Sequence, residues 1–93
     1  YNGGYWEFFR LSNGGFYMAP DIEGNFQASC ATNFFRGELS ADALGISCCL
    51  TAYSNLSFGQ PEYFARTCAE QFYLLRDYAG YHQEAAAIYA AID

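Results

Sequence analysis

The side chains best able to carry out catalysis in this sequence are one histidine, His82, and four cysteines, Cys30, Cys48, Cys49 and Cys68. A thiol nucleophile needs a base beside it, so a small thiol-dependent enzyme would pair His82 with Cys48 or Cys68. Buried, reduced cysteine is the commoner role of such residues, and a histidine at the start of a helix serves most simply as a polar cap. We therefore expect a protein that is not an enzyme and has no catalytic residue.

The same side chains do not form a metal or cofactor site. No two cysteines have the Cys-x-x-Cys spacing of zinc ligands, and neither glycine pair, Gly3-Gly4 or Gly14-Gly15, belongs to a phosphate-binding loop. Cys48 and Cys49 are neighbours in a predicted helix, and the chain begins without the basic and apolar parts of a signal peptide. We expect reduced thiols, no metal, no cofactor and a cytoplasmic location.

The charge of the chain excludes one class of partner. Ten carboxylates and four arginines, with no lysine, give a net charge of −6. Binding of a nucleic-acid backbone depends on clustered cations, so we expect no direct contact with nucleic acid. An acidic mimic of DNA, which would inhibit a DNA-binding enzyme, stays open as an alternative. The carboxylates are scattered among the arginines, however, and this pattern favours an ordinary solvated surface.

Three carboxylates are our candidate interaction residues: Glu38, Asp42 and Asp93. Glu38 lies just before the predicted cap of a helix, and Asp42 lies in the first turn of that helix, where the dipole favours an anion. Asp93 lies at the C-terminal end of the last predicted helix, where the dipole disfavours an anion. Because a carboxylate at this end of a helix contributes little to stability, we assign Asp93 a role in contacting a partner.

The first predicted element is a β-hairpin formed by two aromatic runs, residues 5–11 and 16–19. Asn13-Gly14 suits a two-residue type I′ turn. That turn would place Leu11 opposite Phe16 and Phe9 opposite Met18 on one face. The other face is also aromatic, so we expect it to be covered as well.

The rest of the chain reads as one more strand followed by helices. Weak alternation predicts a third strand at residues 26–32, and residues 33–39 read as a bridge. Ser40 is the predicted N-cap of a central helix, in which Gly45 permits the close approach of another backbone. Two further helices are predicted, one from Pro61 to a C-cap at Gly80 and one over residues 82–92.

This order predicts an α+β fold, in which a small antiparallel sheet of about three strands packs against three C-terminal helices. The length of 93 residues and the hydrophobic content of 53% suit a single domain over residues 1–93. No apolar run approaches the roughly 20 residues of a membrane span, so we expect no membrane association.

Four stretches together resemble the ArdB/KlcA antirestriction proteins of bacterial plasmids, phages and genomic islands: residues 1–6 (YNGGYW), 11–20 (LSNGGFYMAP), 37–46 (GELSADALGI) and 87–93 (AIYAAID). The resemblance implies a bacterial protein that relieves type I restriction-modification of incoming DNA. The implied mode of action is protein interaction, direct or indirect, with the restriction machinery.

Two departures from the family pattern accompany this resemblance. Family members carry a further N-terminal segment that we expect this chain to lack. If that segment covers the aromatic face of the hairpin, its absence exposes an apolar patch, and we expect a homodimer through that face. The family's His-Pro-Glu is replaced here by His82-Gln83-Glu84. Without the proline, an earlier start of the last helix is predicted.

Overall fold

The computed structural model describes residues 6–21, 25–30, 35–59 and 61–92, with the backbone alone for 25–30 and 35–37. Within these residues the chain forms two β-hairpins followed by three helices. The elements are β1 (Trp6–Arg10), β2 (Phe16–Pro20), β3 (Asn25–Cys30), β4 (Phe35–Ser40), α1 (Ala41–Leu56), α2 (Glu62–Ala79) and α3 (Ala85–Ile92). The predicted α+β class, with strands first and three helices after them, is confirmed.

The first hairpin has a three-residue loop, so the predicted two-residue turn was wrong. Gly14 N–H donates to the Leu11 carbonyl oxygen (3.0 Å), and Leu11 N–H donates to the Gly15 carbonyl oxygen (2.9 Å). Gly14 has a φ of 92°, the left-handed conformation that closes a type I turn in this class of loop. The Asn13 side chain accepts from Gly15 N–H (2.8 Å) and donates to the Leu74 carbonyl oxygen (2.9 Å), which fixes the longer loop.

The longer loop shifts the register between β1 and β2 by one residue. Relative to β1, each side chain of β2 therefore lies on the face opposite to the predicted one. Phe9 pairs with Tyr17 and Phe8 with Met18, instead of Phe9 with Met18. Tyr17 is therefore buried in the core, whereas Phe8 is 67% exposed. The expectation that both aromatic faces are covered was wrong for the described structure.

The second hairpin contains a strand that the sequence analysis missed. β3 confirms the predicted third strand, but the segment interpreted as a bridge forms β4 and pairs with β3 in antiparallel register. Gly37 lies in the middle of β4, opposite Ala28. A glycine interrupts the alternation of side chains by which a strand is predicted from sequence. Pairing with β3 satisfies the backbone N–H and C=O groups of this segment. The sequence analysis expected one sheet of about three strands. The described residues instead form two separate two-stranded sheets.

The central helix α1 begins where the sequence predicts. The Ser40 hydroxyl accepts from Ala43 N–H (3.2 Å) and caps the helix. Gly45 packs against the backbone of β2, and a Cβ at this position would lie 2.3 Å from the Met18 carbonyl oxygen. The predicted close approach of a second backbone is confirmed.

Helix α1 supplies the middle of the core. The helix lies against β2, α2, α3 and both strands of the second hairpin. The largest fully buried side chains come from α1 itself and from three of these elements: Leu39, Ile46, Leu50, Leu75 and Ile88. The predicted central position of this helix is confirmed.

The last helix begins later than the sequence analysis predicts. Gly80 is the C-cap of α2, as predicted, but residues 81–84 form turns and α3 begins at Ala85. The His82 ring accepts from Glu84 N–H (2.9 Å), a local side-chain to backbone bond that favours a turn here over an earlier start of the helix. No described helix is long and apolar enough to cross a membrane.

Candidate interaction site

Among the three predicted interaction residues, Asp42 lies where several elements meet. It lies in the first turn of α1 and accepts hydrogen bonds from the Tyr17 hydroxyl of β2 and from His82 Nε2 (2.8 Å). Its side chain keeps 39% of its surface exposed, whereas that of His82 keeps 10%. Asp42 therefore joins β2, α1 and the turn before α3 while part of its carboxylate faces solvent.

A second carboxylate completes this network, which we call the Asp42 cluster (Tyr17, Ser40, Asp42, His82 and Glu84). Glu84 accepts from Ser40 N–H (3.0 Å) with one oxygen and from the Ser40 hydroxyl with the other. The same hydroxyl caps α1. The start of α3 is thereby tied to the start of α1 through charge-assisted hydrogen bonds.

The hydrogen bonds of His82 define its chemical role. Because Nδ1 accepts from Glu84 N–H, the proton of the neutral ring is on Nε2, which donates it to Asp42. Both ring nitrogens are occupied by structural partners. His82 therefore links the first turn of α1 to the turn before α3, and its predicted role as a helix cap stays a prediction.

The cysteine thiols of the described side chains are free. Burial raises the pKa of both the Cys48 and Cys49 thiols, and the neighbouring Cys49 raises that of Cys48 further. Cys49 Sγ lies 3.5 Å from Met18 N and 3.8 Å from Met18 O, in contact with β2. A raised pKa lowers the thiolate fraction, which is the opposite of nucleophile activation.

A first prediction concerns the reactivity of these thiols. In the native protein at pH 7.5, Cys48 and Cys49 should react with iodoacetamide more slowly than glutathione does, because their thiolate fraction is lower. Mass spectrometry of time-quenched samples measures both rates, and the urea-unfolded chain is the control. Native thiols that outpace glutathione would contradict the structure.

Tyr17 is the buried hydroxyl of the cluster. Its ring is 2% exposed and stacks on Phe9 and Tyr78, with centroid distances of 4.9 and 5.9 Å. Burial and the hydrogen bond to the Asp42 carboxylate raise its pKa strongly, since both disfavour a phenolate beside a second anion.

This shift predicts a loss of stability in alkali. Above the ordinary tyrosine pKa of about 10, the unfolded chain loses a proton that folded Tyr17 retains, so Tyr17 contributes a fall of about 1.4 kcal/mol per pH unit in the free energy of unfolding. The raised pKa values of Cys48, Cys49 and Tyr53 add to this fall. Urea titrations between pH 9 and 11.5 measure this slope. Tyr17→Phe should make this slope shallower by about 1.4 kcal/mol per pH unit, whereas Tyr63→Phe, at a 75% exposed position, should not. Equal slopes in the two variants would refute the assignment.

The other two predicted site residues are not placed in this cluster. Glu38 is exposed in β4, paired with Gln27 of β3. Asp93 lies outside the described residues. The sequence analysis also missed Tyr17 and Glu84, which reach the cluster across 25 and 44 residues of chain. Such separations leave no periodic pattern in the sequence.

A comparison with known proteins identifies the family to which this chain belongs. The sequence model described as "Antirestriction protein" matches residues 1–93, which is the whole chain. The chain belongs to the antirestriction protein family. The resemblance to the ArdB/KlcA proteins is thereby confirmed.

Relatives within the antirestriction family are similar over the full chain. It is 46% identical over 96 residues to antirestriction protein KlcA of Escherichia coli, and 46% identical to a second KlcA of the same species. It spans 66% and 64% of those two proteins, which is slightly less than two thirds.

The solved structure of the KlcA and ArdB proteins is also similar, with a TM-score of 0.89 and 47% identity. The match covers 100% of this chain and 66% of that one. Those proteins are described as having a novel fold and antirestriction activity against Type I DNA restriction systems in vivo but not in vitro.

Proposed function

We propose that this chain acts in antirestriction and relieves Type I restriction of incoming DNA. The observation that carries the proposal is the match to the KlcA and ArdB structure, with a TM-score of 0.89 over the whole chain. At 47% identity, the two share the fold together with nearly half of their side chains. The KlcA relatives support the same activity.

The proposed mode of action is protein contact without catalysis. The His82 nitrogens and the Asp42 carboxylate are held in structural hydrogen bonds. The thiols of Cys48 and Cys49 have raised pKa values, so they are poorly suited to nucleophilic attack. These observations disfavour the thiol enzyme that the sequence left open.

The partner that we propose is the Type I restriction machinery inside the cell, reached directly or through another cellular protein. KlcA and ArdB act in vivo but not in vitro. An acidic DNA mimic would bind the purified enzyme, with an affinity that falls steeply as salt rises. The behaviour of these relatives therefore favours a contact that needs a further component of the cell.

A plating experiment tests this function. Unmodified phage is plated on cells that carry a Type I restriction system, with and without expression of residues 1–93, and E. coli KlcA is the positive control. We expect plating to rise toward the KlcA level. A chimera in which residues 1–93 replace the matching part of KlcA separates the contribution of this segment from that of the rest. An inactive chimera that is folded and expressed would refute the proposal.

The finer assignments are tested in the same system. Glu38, Asp42 and Asp93 stay proposed contact residues. Glu38→Gln and Asp93→Asn should lower plating while the protein stays folded, and unchanged plating would remove them from the contact. We also propose a cytoplasmic location and a homodimer through the hairpin face that exposes Trp6 and Phe8. Light scattering of the purified chain measures the oligomeric state.

A further inference from the structure

The loop between β1 and β2 contains the dipeptide Asn13-Gly14, whose chemistry goes beyond the formation of a turn. When glycine follows asparagine, its backbone nitrogen can attack the carbon of the asparagine side-chain amide, because glycine has no side chain to obstruct the approach. Asn13 and Gly14 are both exposed, so water and hydroxide reach them. The loop therefore offers the reactive pair together with the solvent that the reaction needs.

Both ends of the Asn13 side-chain amide are held in the native structure. Asn13 Oδ1 accepts from Gly15 N–H (2.8 Å), and Asn13 Nδ2 donates to the Leu74 carbonyl oxygen of α2 (2.9 Å). The amide carbon must rotate toward the Gly14 nitrogen before it is attacked, and that rotation breaks both bonds. The loop also packs closely on α2, since a Cβ at Gly15 would lie 3.2 Å from Leu74 Cβ.

The attacking nitrogen is restrained as well. Gly14 must lose its N–H proton before it attacks, and this N–H donates to the Leu11 carbonyl oxygen (3.0 Å). The Gly14 carbonyl oxygen accepts from Gln71 Nε2 of α2 (3.4 Å), which is a second bond between the loop and that helix. An amide proton in such a bond is released when the structure opens locally, as in hydrogen exchange. The attack therefore requires the loop to leave α2.

We propose that Asn13 is a deamidation site that the native fold protects and that reacts when the loop leaves α2. Hydroxide removes the Gly14 N–H proton, and the nitrogen forms a bond to Asn13 Cγ. The bond between Cγ and Nδ2 then breaks, and ammonia leaves with a proton taken from water, which regenerates the hydroxide. One water molecule opens the succinimide ring at either of its carbonyl groups and gives aspartate or isoaspartate. The reaction needs no oxidant, reductant or enzyme.

The product cannot restore the native contact with α2. An ionised carboxylate has no N–H to donate to the Leu74 carbonyl oxygen, and it would place an anion beside that oxygen. Isoaspartate also carries the backbone through the former side-chain carbons, which lengthens the loop. One opening event that ends in deamidation therefore weakens the docking of the hairpin on α2 permanently. The modification is independent of the proposed antirestriction function.

The sequence supplies a matched reference for the rate, because Asn2-Gly3-Gly4 repeats the triplet Asn13-Gly14-Gly15. The full chain is kept at mildly alkaline pH, either folded or unfolded in guanidinium chloride. Mass spectrometry after trypsin digestion follows the two sites in separate peptides, residues 1–10 and 11–36. In the unfolded chain we expect similar rates at both sites. In the folded chain Asn13 should deamidate at least about tenfold more slowly than in the unfolded chain. Equal rates at Asn13 in the two states would overturn the proposal.

A variant tests the consequence of the modification. Asn13→Asp reproduces the aspartate product and should lower the urea midpoint of unfolding, because the donor to Leu74 is lost. Gln83→Glu makes the same change from amide to carboxylate at an exposed position before α3 and should leave the midpoint nearly unchanged. The amide proton of Gly14 should also exchange faster in Asn13→Asp than in the unmodified chain. Equal midpoints and equal exchange in Asn13→Asp and the unmodified chain would overturn the lasting effect of deamidation.

Discussion

Replacement of Gly45 by alanine is expected to lower the free energy of unfolding by about 3 kcal/mol. The added methyl group would lie 2.3 Å from the Met18 carbonyl oxygen and 2.6 Å from both Cα and Cβ of Ala19. These are mostly backbone atoms of β2, so no side-chain rotation relieves the overlap. The hairpin and α1 must separate, and the core around Tyr17 loses its packing.

The control for this effect is Gly59→Ala. A Cβ at Gly59 would lie at ordinary contact distance, 3.4 Å from the Leu56 carbonyl oxygen, in an exposed turn after α1. Urea denaturation should show a large fall in the midpoint for Gly45→Ala and a change within about 0.5 kcal/mol for Gly59→Ala. If Gly45→Ala were as stable as the unmodified chain, the described approach of α1 to β2 would be wrong.

Asp42→Ala is the second large effect, with an expected loss of about 3 kcal/mol. The substitution leaves the buried Tyr17 hydroxyl and His82 Nε2 without their acceptor. It also removes an anion from the first turn of α1, where the helix dipole favours negative charge. Three elements lose their common link at one carboxylate, so the cost exceeds that of an exposed ion pair.

A double-mutant cycle with Tyr17→Phe separates these contributions. Asp42→Ala should cost less when Tyr17 is already phenylalanine, because no buried hydroxyl is then stranded. Glu70→Ala, at an exposed position in α2, is the control and should change stability by less than about 0.5 kcal/mol. Strict additivity of the two cluster substitutions would contradict the hydrogen bond between them.

Local chemistry made several features predictable from the sequence. Ser40 followed by a helical apolar pattern identified the cap of α1, and Gly45 inside that pattern identified a close backbone contact. Asp42 in the first turn was also recognised, though its partners were not. Each of these inferences depends on residues within one turn of the chain.

Features set by tertiary contacts were not predictable in this way. Asn13-Gly14 is compatible with two loop lengths, and the contact of Asn13 with Leu74 of α2 accompanies the longer one. β4 has a glycine where a strand pattern needs a side chain, and its pairing with β3 determines its conformation. The Asp42 cluster joins residues 25 to 44 positions apart, beyond the reach of any local pattern.

The contact between Asn13 and Leu74 bears on the order in which the chain folds. It closes a loop of 61 residues, so the β1–β2 hairpin is completed by a segment that is synthesised much later. An isolated two-stranded hairpin is marginal in water, and β2 gains its covering only when α1 packs on it. During folding, the amide protons of β1 and β2 should therefore become protected from exchange after those of α1. In the nascent chain the β1–β2 hairpin therefore leaves apolar strand surface exposed until α1 covers it, and its protection from exchange reports completed folding.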